Sequence, residues 1–139
     1  MNLLHNNTLG IDIGSTTVKI AVLDSEHHML FTDYERHYAN IQETLALLLS
    51  RAKEKLGEMT VSPSITGSGG LTLSGHLEVP FTQEVVAVAT ALQDYAPQTD
   101  VAIELGGEDA KIIYFTGGID QRMNGICAGG TGSFIDQMA

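Results

Sequence analysis

The chain has no tryptophan, three prolines, one cysteine and only seven Lys and Arg among its 139 residues. A lone thiol, Cys127, forms no internal disulfide, and a reducing compartment would keep it as a thiol or a metal ligand. Set against 17 Asp and Glu, the few basic residues leave a formal charge of −10. The electrostatic footprint of a DNA- or RNA-binding surface is therefore missing, and no nucleic-acid partner is expected. No window approaches the ~20 apolar residues of a membrane span, and Met1 to Asn7 carries no basic stretch followed by an apolar core. A cytoplasmic address with no membrane partner is the expectation. The five histidines, His5, His27, His28, His37 and His76, lack the paired helical spacing with carboxylates that builds a zinc site, and are expected at the surface.

What the chain does have is the composition of a globular protein, 43% hydrophobic and 17% charged, at a length that fits one compact domain with a real core. Its acidity excludes no nucleotide, because backbone N–H groups and a Mg2+ ion hold phosphates without many basic side chains. No repeat or low-complexity linker interrupts it.

Periodicity predicts a hairpin of Leu9–Ile13 and Val18–Leu23 around a Gly-Ser-Thr-Thr turn, then a third antiparallel strand over Met29–His37. Ile41, Leu45, Leu48, Leu49, Ala52 and Leu56 recur at helical spacing, with Gly57 as the stop. Ser64 to Gly70 reads as a short strand finishing in Ser-Gly-Gly, and Glu84–Tyr95 as a helix. Val101–Leu105 and Ala110–Thr116 form a second hairpin with a glycine turn, and a glycine loop opens a final helix near Gly132. Because that helix is unfinished at Ala139, the chain is expected to be a fragment of a longer protein.

Three segments carry chemistry. In Asp12-Ile13-Gly14-Ser15-Thr16-Thr17-Val18-Lys19 a carboxylate ends a strand, and a tight turn presents N–H and hydroxyl donors suited to a terminal phosphate. Asp12 suits Mg2+ held through water, and Gly14 lets a phosphate approach the backbone. The same residues also fit an ordinary hairpin whose turn satisfies its own backbone. Glu104-Leu105-Gly106-Gly107-Glu108-Asp109-Ala110-Lys111 repeats the strand, glycine turn and strand, and reads equally as a hairpin with a solvated tip. The third, Asn124-Gly125-Ile126-Cys127-Ala128-Gly129-Gly130-Thr131-Gly132-Ser133-Phe134, leads a glycine loop into a helix and carries the only thiol; a small buried hydrophobe is the structural alternative.

In order and spacing these segments resemble the first phosphate loop, second phosphate loop and connecting segment of the actin-like ATPase superfamily. Within it the chain is similar to the activator family of 2-hydroxyglutaryl-CoA dehydratase and benzoyl-CoA reductase, whose signature joins GIDxGSTxxK, GGxDxK and NxxCAxGTGxF. The resemblance spans residues 8 to 139, and Cys127 in the third loop is its discriminating feature.

The resemblance implies an α/β, ribonuclease-H-like lobe: a mixed sheet with its first three strands antiparallel, flanked by helices, the second lobe being absent. It implies ATP and ADP as ligands, with Asp12 and Asp109 arranging Mg2+ and water. Gly14, Ser15, Thr16, Thr17, Lys19, Gly106, Gly107, Gly129, Gly130, Thr131 and Gly132 would surround the phosphates. It further implies that Cys127 is one ligand of a 4Fe-4S cluster shared between the subunits of a homodimer, with a 2-hydroxyacyl-CoA dehydratase or related CoA enzyme receiving the electron. Glu84 resembles a family glutamate near the cleft, although a solvated helix start explains it equally well. Glu104 and Gly129 are mild departures from the family pattern. The second cluster cysteine and the adenosine-binding segment have no counterpart, so full turnover by this chain alone is not expected. A sugar or metabolite kinase of the same superfamily and a non-catalytic nucleotide-sensing scaffold domain are the competing readings, and Cys127 argues against the kinase.

Overall fold

A computed structural model of the chain describes residues 6–105, 110–115 and 120–123. By its internal contacts it divides into two compact units, Met1–Thr82 and Gln83–Ala139.

In the first unit, β1 (Asn7–Ile13), β2 (Thr17–Leu23) and β3 (Met29–Arg36) form an antiparallel meander. Alternation sets their faces: Leu9, Ile11 and Ile13 of β1 lie opposite Val22, Ile20 and Val18 of β2 and are buried with them. Against this meander packs α1 (Ile41–Leu56), which turns Thr44, Leu45, Leu48 and Ala52 inward. Glu43 in its first turn and Lys53 and Lys55 in its last complement the helix dipole. At its end Gly57 takes a φ of 77°, and its N–H reaches the Lys53 carbonyl at 2.8 Å. Arg51 ties the helix to β3 through Glu35 at 2.8 Å and Asp33 at 3.3 Å.

From β3 at one edge, α1 carries the chain across to β4 (Val61–Thr66) at the other, where it pairs parallel with β1 in the order β3-β2-β1-β4. This strand begins earlier than the sequence suggests, because Pro63, which offers no N–H, is tolerated on an edge strand. It also ends earlier, at Thr66. Gly70, expected to finish the strand, instead opens a helix, α2 (Gly70–Leu77), whose Leu73 joins the core. Burial rather than propensity makes that helix, since Gly, Thr, Ser and His supply little helical preference.

In the second unit, α3 (Glu84–Tyr95) has the bounds its periodicity predicts, and β5 (Val101–Leu105), β6 (Ala110–Tyr114) and β7 (Asp120–Met123) form an antiparallel sheet in that order. The second hairpin is present, with Leu105 opposite Ala110 as its last pair. Its second strand stops at Tyr114, short of the expected Thr116. Ile113 of β6 and Ala89 of α3 are buried. Short, polar β7 carries no strand pattern of its own and is defined by pairing with β6.

Among the described residues no helix is long and apolar enough to cross a membrane.

Candidate functional site

Parallel pairing of β1 with β4 brings the carboxyl ends of two strands side by side, the place where open α/β sheets receive ligands. Two loops meet there, the β1–β2 turn and the segment between β4 and α2. In the first, the Gly14 N–H donates to the Thr17 carbonyl at 2.9 Å and closes a tight turn with Ser15 exposed at its tip. On the stem below it, Asp12 lies opposite Lys19 on β2 and Thr66 on β4. Strand alternation therefore puts the carboxylate, the ammonium and the Thr66 hydroxyl on one face, opposite to the face that packs under α1.

Asp12 and Lys19 approach to 3.7 Å with side chains 39% and 57% exposed. Water screens such a pair to at most about 1 kcal/mol, so a bound phosphate competes easily for Lys19. The Thr66 hydroxyl oxygen is buried with no hydrogen-bond partner among the described residues. A carboxylate beside a hydroxyl is a set of hard oxygen donors of the kind Mg2+ prefers, and that chemistry fits the ion. Among the described residues no three His, Cys, Asp or Glu cluster as a metal site; a Mg2+ held through water and phosphate oxygens needs no such cluster.

The glycines of the two loops differ in what they do. Gly67 takes a φ of 101°, and a Cβ there would meet the Ile13 carbonyl oxygen at 2.3 Å and the Asp12 carboxylate at 2.6 Å. Its neighbour Gly69 donates its N–H to the same carbonyl at 2.9 Å. The Thr-Gly-Ser-Gly-Gly run is thus a backbone-on-backbone brace under Asp12, which sequence reading missed; its signal was the glycine density after a strand. At Gly14, by contrast, a Cβ would touch nothing nearer than 3.7 Å, and the residue lacks a positive φ. Nothing in the fold requires glycine at that position, and its use is the open space it leaves above the turn.

A second residue missed in the sequence is His37, expected at the surface. It is only 7% exposed, and its ring reaches the Gly14 carbonyl oxygen at 3.1 Å. Being the first residue after β3, it is carried beneath the turn by the β2–β3 pairing of Thr17 with Arg36. His27, His28 and His76 are exposed, as expected.

Glu84 is not a solvated helix start: it pairs with Lys111 of β6 through side chains 20% and 11% exposed. Gly106, Gly107 and Asp109, and likewise Cys127, Gly129, Gly130, Thr131 and Gly132, lie outside the described residues. An apolar groove of roughly 350 Å3, lined by Leu9, Val22, Leu49, Leu56, Met59 and Val61 among others, lies at the opposite end of the sheet, away from Asp12 and the turn.

The family model for the BadF/BadG/BcrA/BcrD ATPase family matches residues 9–139. The chain is 29% identical over 137 residues to the (R)-2-hydroxyglutaryl-CoA dehydratase activating ATPase of Acidaminococcus fermentans, covering 95% of this chain and 52% of that protein. It is 31% identical over 140 residues to the activator of lactoyl-CoA dehydratase of Anaerotignum propionicum, again covering 95% and 52%. Among solved structures it resembles the activator of the 2-hydroxyisocaproyl-CoA dehydratase from Clostridium difficile with bound ADPNP, at a TM-score of 0.82 and 27% identity over 96% of this chain and 51% of the other. It thus spans about half the length of the relatives it matches.

Proposed function

The chain belongs to the BadF/BadG/BcrA/BcrD ATPase family, and on that premise we propose that it is the nucleotide-binding part of an ATP-hydrolysing activator that passes a low-potential electron to a 2-hydroxyacyl-CoA dehydratase or a related CoA-substrate enzyme. The observation that carries the reading is the Gly14–Thr17 turn, with a glycine the fold does not need, standing over the Asp12 carboxylate at the carboxyl end of β1. The named activity of relatives that share the fold, and the ADPNP held by one of them, support it.

In this reading the backbone N–H groups of Ser15 to Thr17 bind phosphate oxygens, and Lys19 swings from Asp12 to neutralise their charge. Asp12 would hold Mg2+ through water, and the family resemblance assigns Asp109 to the attacking water and Gly106 and Gly107 to the phosphates. Mg2+, when bound, supplies the charge that draws the phosphate oxygens together. The same resemblance adds Gly129, Gly130, Thr131 and Gly132 to the phosphate-binding set. Cys127 would contribute one thiolate to a 4Fe-4S cluster, which the resemblance implies is shared between the subunits of a homodimer. With a single cysteine in this chain, the other ligands come from elsewhere in that assembly. A cytoplasmic address suits such a cluster.

Anaerobic reconstitution with iron and sulfide tests the redox half, by comparing visible absorption of the protein and its Cys127→Ala variant. Loss of the cluster band in the variant is expected, and identical spectra would retire Cys127 as a ligand. Titration with MgATP tests the nucleotide half. Binding that weakens in Asp12→Asn is expected, and absence of binding by the unmodified protein overturns it.

A further inference from the structure

Beyond the residues that would touch a nucleotide, and resting on that nucleotide reading, we propose that His37 is a positioning residue that fixes the direction of the phosphate-binding N–H groups. Its two ring nitrogens have different partners. Nδ1 lies 3.0 Å from the backbone N–H of Ala39. An amide N–H can only donate, so Nδ1 accepts, and in the neutral ring the proton sits on Nε2. Nε2 in turn lies 3.1 Å from the Gly14 carbonyl oxygen, which can only accept. The tautomer is thereby fixed by its surroundings, and the ring donates to Gly14.

The backbone of the same residue holds the other side of the turn, since the His37 N–H donates to the Thr16 carbonyl at 3.0 Å. Two carbonyls of the turn, Gly14 and Thr16, are therefore drawn toward His37. All peptide bonds of the described chain are trans. Across a trans peptide the N–H points opposite to the preceding carbonyl, so the N–H groups of Ser15 and Thr17 are directed away from His37. Ser15 is exposed, which leaves its N–H on the open side of the turn. Drawing the carbonyls to one side also keeps their negative ends from an incoming anion.

The local backbone is strained in a way that serves this arrangement. Tyr38 and Ala39 have φ values of 45° and 69°, two consecutive non-glycine residues in the left-handed region. Side chains disfavour that region, so each residue stays there only because the surrounding structure holds it. The excursion folds the chain back so that the Ala39 N–H meets Nδ1, while the Asn40 N–H reaches the His37 carbonyl at 2.6 Å. A conformation that costs energy and ends on a ring nitrogen makes His37 the fixed point from which the turn is held.

The test uses the whole chain and MgATP as the probe, following the Ser15 and Thr17 amide resonances by NMR. In His37→Asn the side-chain oxygen still accepts from the Ala39 N–H, while the donor to Gly14 is lost. This variant is expected to keep its thermal midpoint and bind MgATP about tenfold more weakly, with the Ser15 amide no longer shifting on binding. His37→Gln, whose amide can reach Gly14, should restore most of the affinity. Equal affinity and an equal Ser15 shift in His37→Asn and the unmodified chain would overturn the role of His37 while leaving the nucleotide reading intact. No MgATP response in the unmodified chain would overturn the nucleotide reading, and the positioning role with it. Should His37→Asn unfold, the imidazole 15N spectrum of the unmodified chain decides: a proton fixed on Nε2 with Nδ1 accepting supports the role, and a proton on Nδ1 or rapid averaging between the two sinks it.

Discussion

Glu84, in the first turn of α3, is ion-paired with Lys111 on β6, the two side chains being only 20% and 11% exposed. Helix and sheet of the second unit are joined at that point by opposite charges withdrawn from water. Removing the Glu84 carboxylate takes this counter-charge away from a Lys111 ammonium withdrawn from water, which costs more than the pair itself contributes. Glu84→Ala is therefore expected to lower stability by about 3 kcal/mol, whereas the double change Glu84→Leu with Lys111→Met should recover most of it. Urea denaturation of both variants measures this, and a double variant no more stable than Glu84→Ala would show that the lost charge pairing is not the cause.

Gly14 and Gly67 give opposite outcomes when each is changed to Ala. At Gly67 the new methyl meets backbone at 2.3 Å with a φ of 101°, and a loss of roughly 2 kcal/mol or more is expected. At Gly14 the nearest atom is 3.7 Å away, so the thermal midpoint should hold while MgATP affinity falls. Unchanged nucleotide binding in Gly14→Ala would remove the functional reason given for that glycine.

Leu47 and Leu48 are neighbours on α1, one 44% exposed and the other 0%. Leu48→Ala empties a place in the core between α1 and the meander and should cost about 3 to 5 kcal/mol. Leu47→Ala should change stability by less than about 0.5 kcal/mol. Similar losses at both positions, read from denaturant midpoints, would mean that α1 presents a different face.

Asp24 accepts the backbone N–H of His28 at 2.9 Å and of Glu26 at 2.8 Å, and these bonds, His28 first, hold its carboxyl below the ordinary value of 3.8. A carboxyl lowered on folding contributes stability above its unfolded value, and that contribution fades as pH falls through the folded one. The thermal midpoint of Asp24→Asn should therefore lie below that of the unmodified chain near neutrality, and the gap should close below about pH 4. A gap independent of pH would show that the carboxylate is not the group responsible.

How much of this was legible depended on whether the signal was local. Helices α1 and α3 announce themselves by apolar spacing, and the β1–β2 hairpin by alternation around a turn, so their bounds are close to those read from the chain. Helix α2 has no such signal, because what holds Gly70 there is its close approach to Ile65 and Phe81, a tertiary fact. His37 was illegible for the same reason: it lies 23 residues from Gly14 in sequence and meets it through two strand pairings. The residues of the turn itself, Asp12, Gly14 and Lys19, were readable because their chemistry and spacing coincide in one short run.

The parallel pairing of β1 with β4 has a consequence for folding. The three-stranded meander is built from near neighbours, whereas the partner of Asp12 on β4 lies beyond α1 in the chain, so that pairing has the longer loop to close. A peptide containing only β1 to β3 would thus hold every residue of the turn and still lack the Gly67 brace under Asp12. The proposed site is therefore complete only when the longest-range strand pairing of the first unit is made, and binding there would report on the completed unit rather than on its hairpin alone.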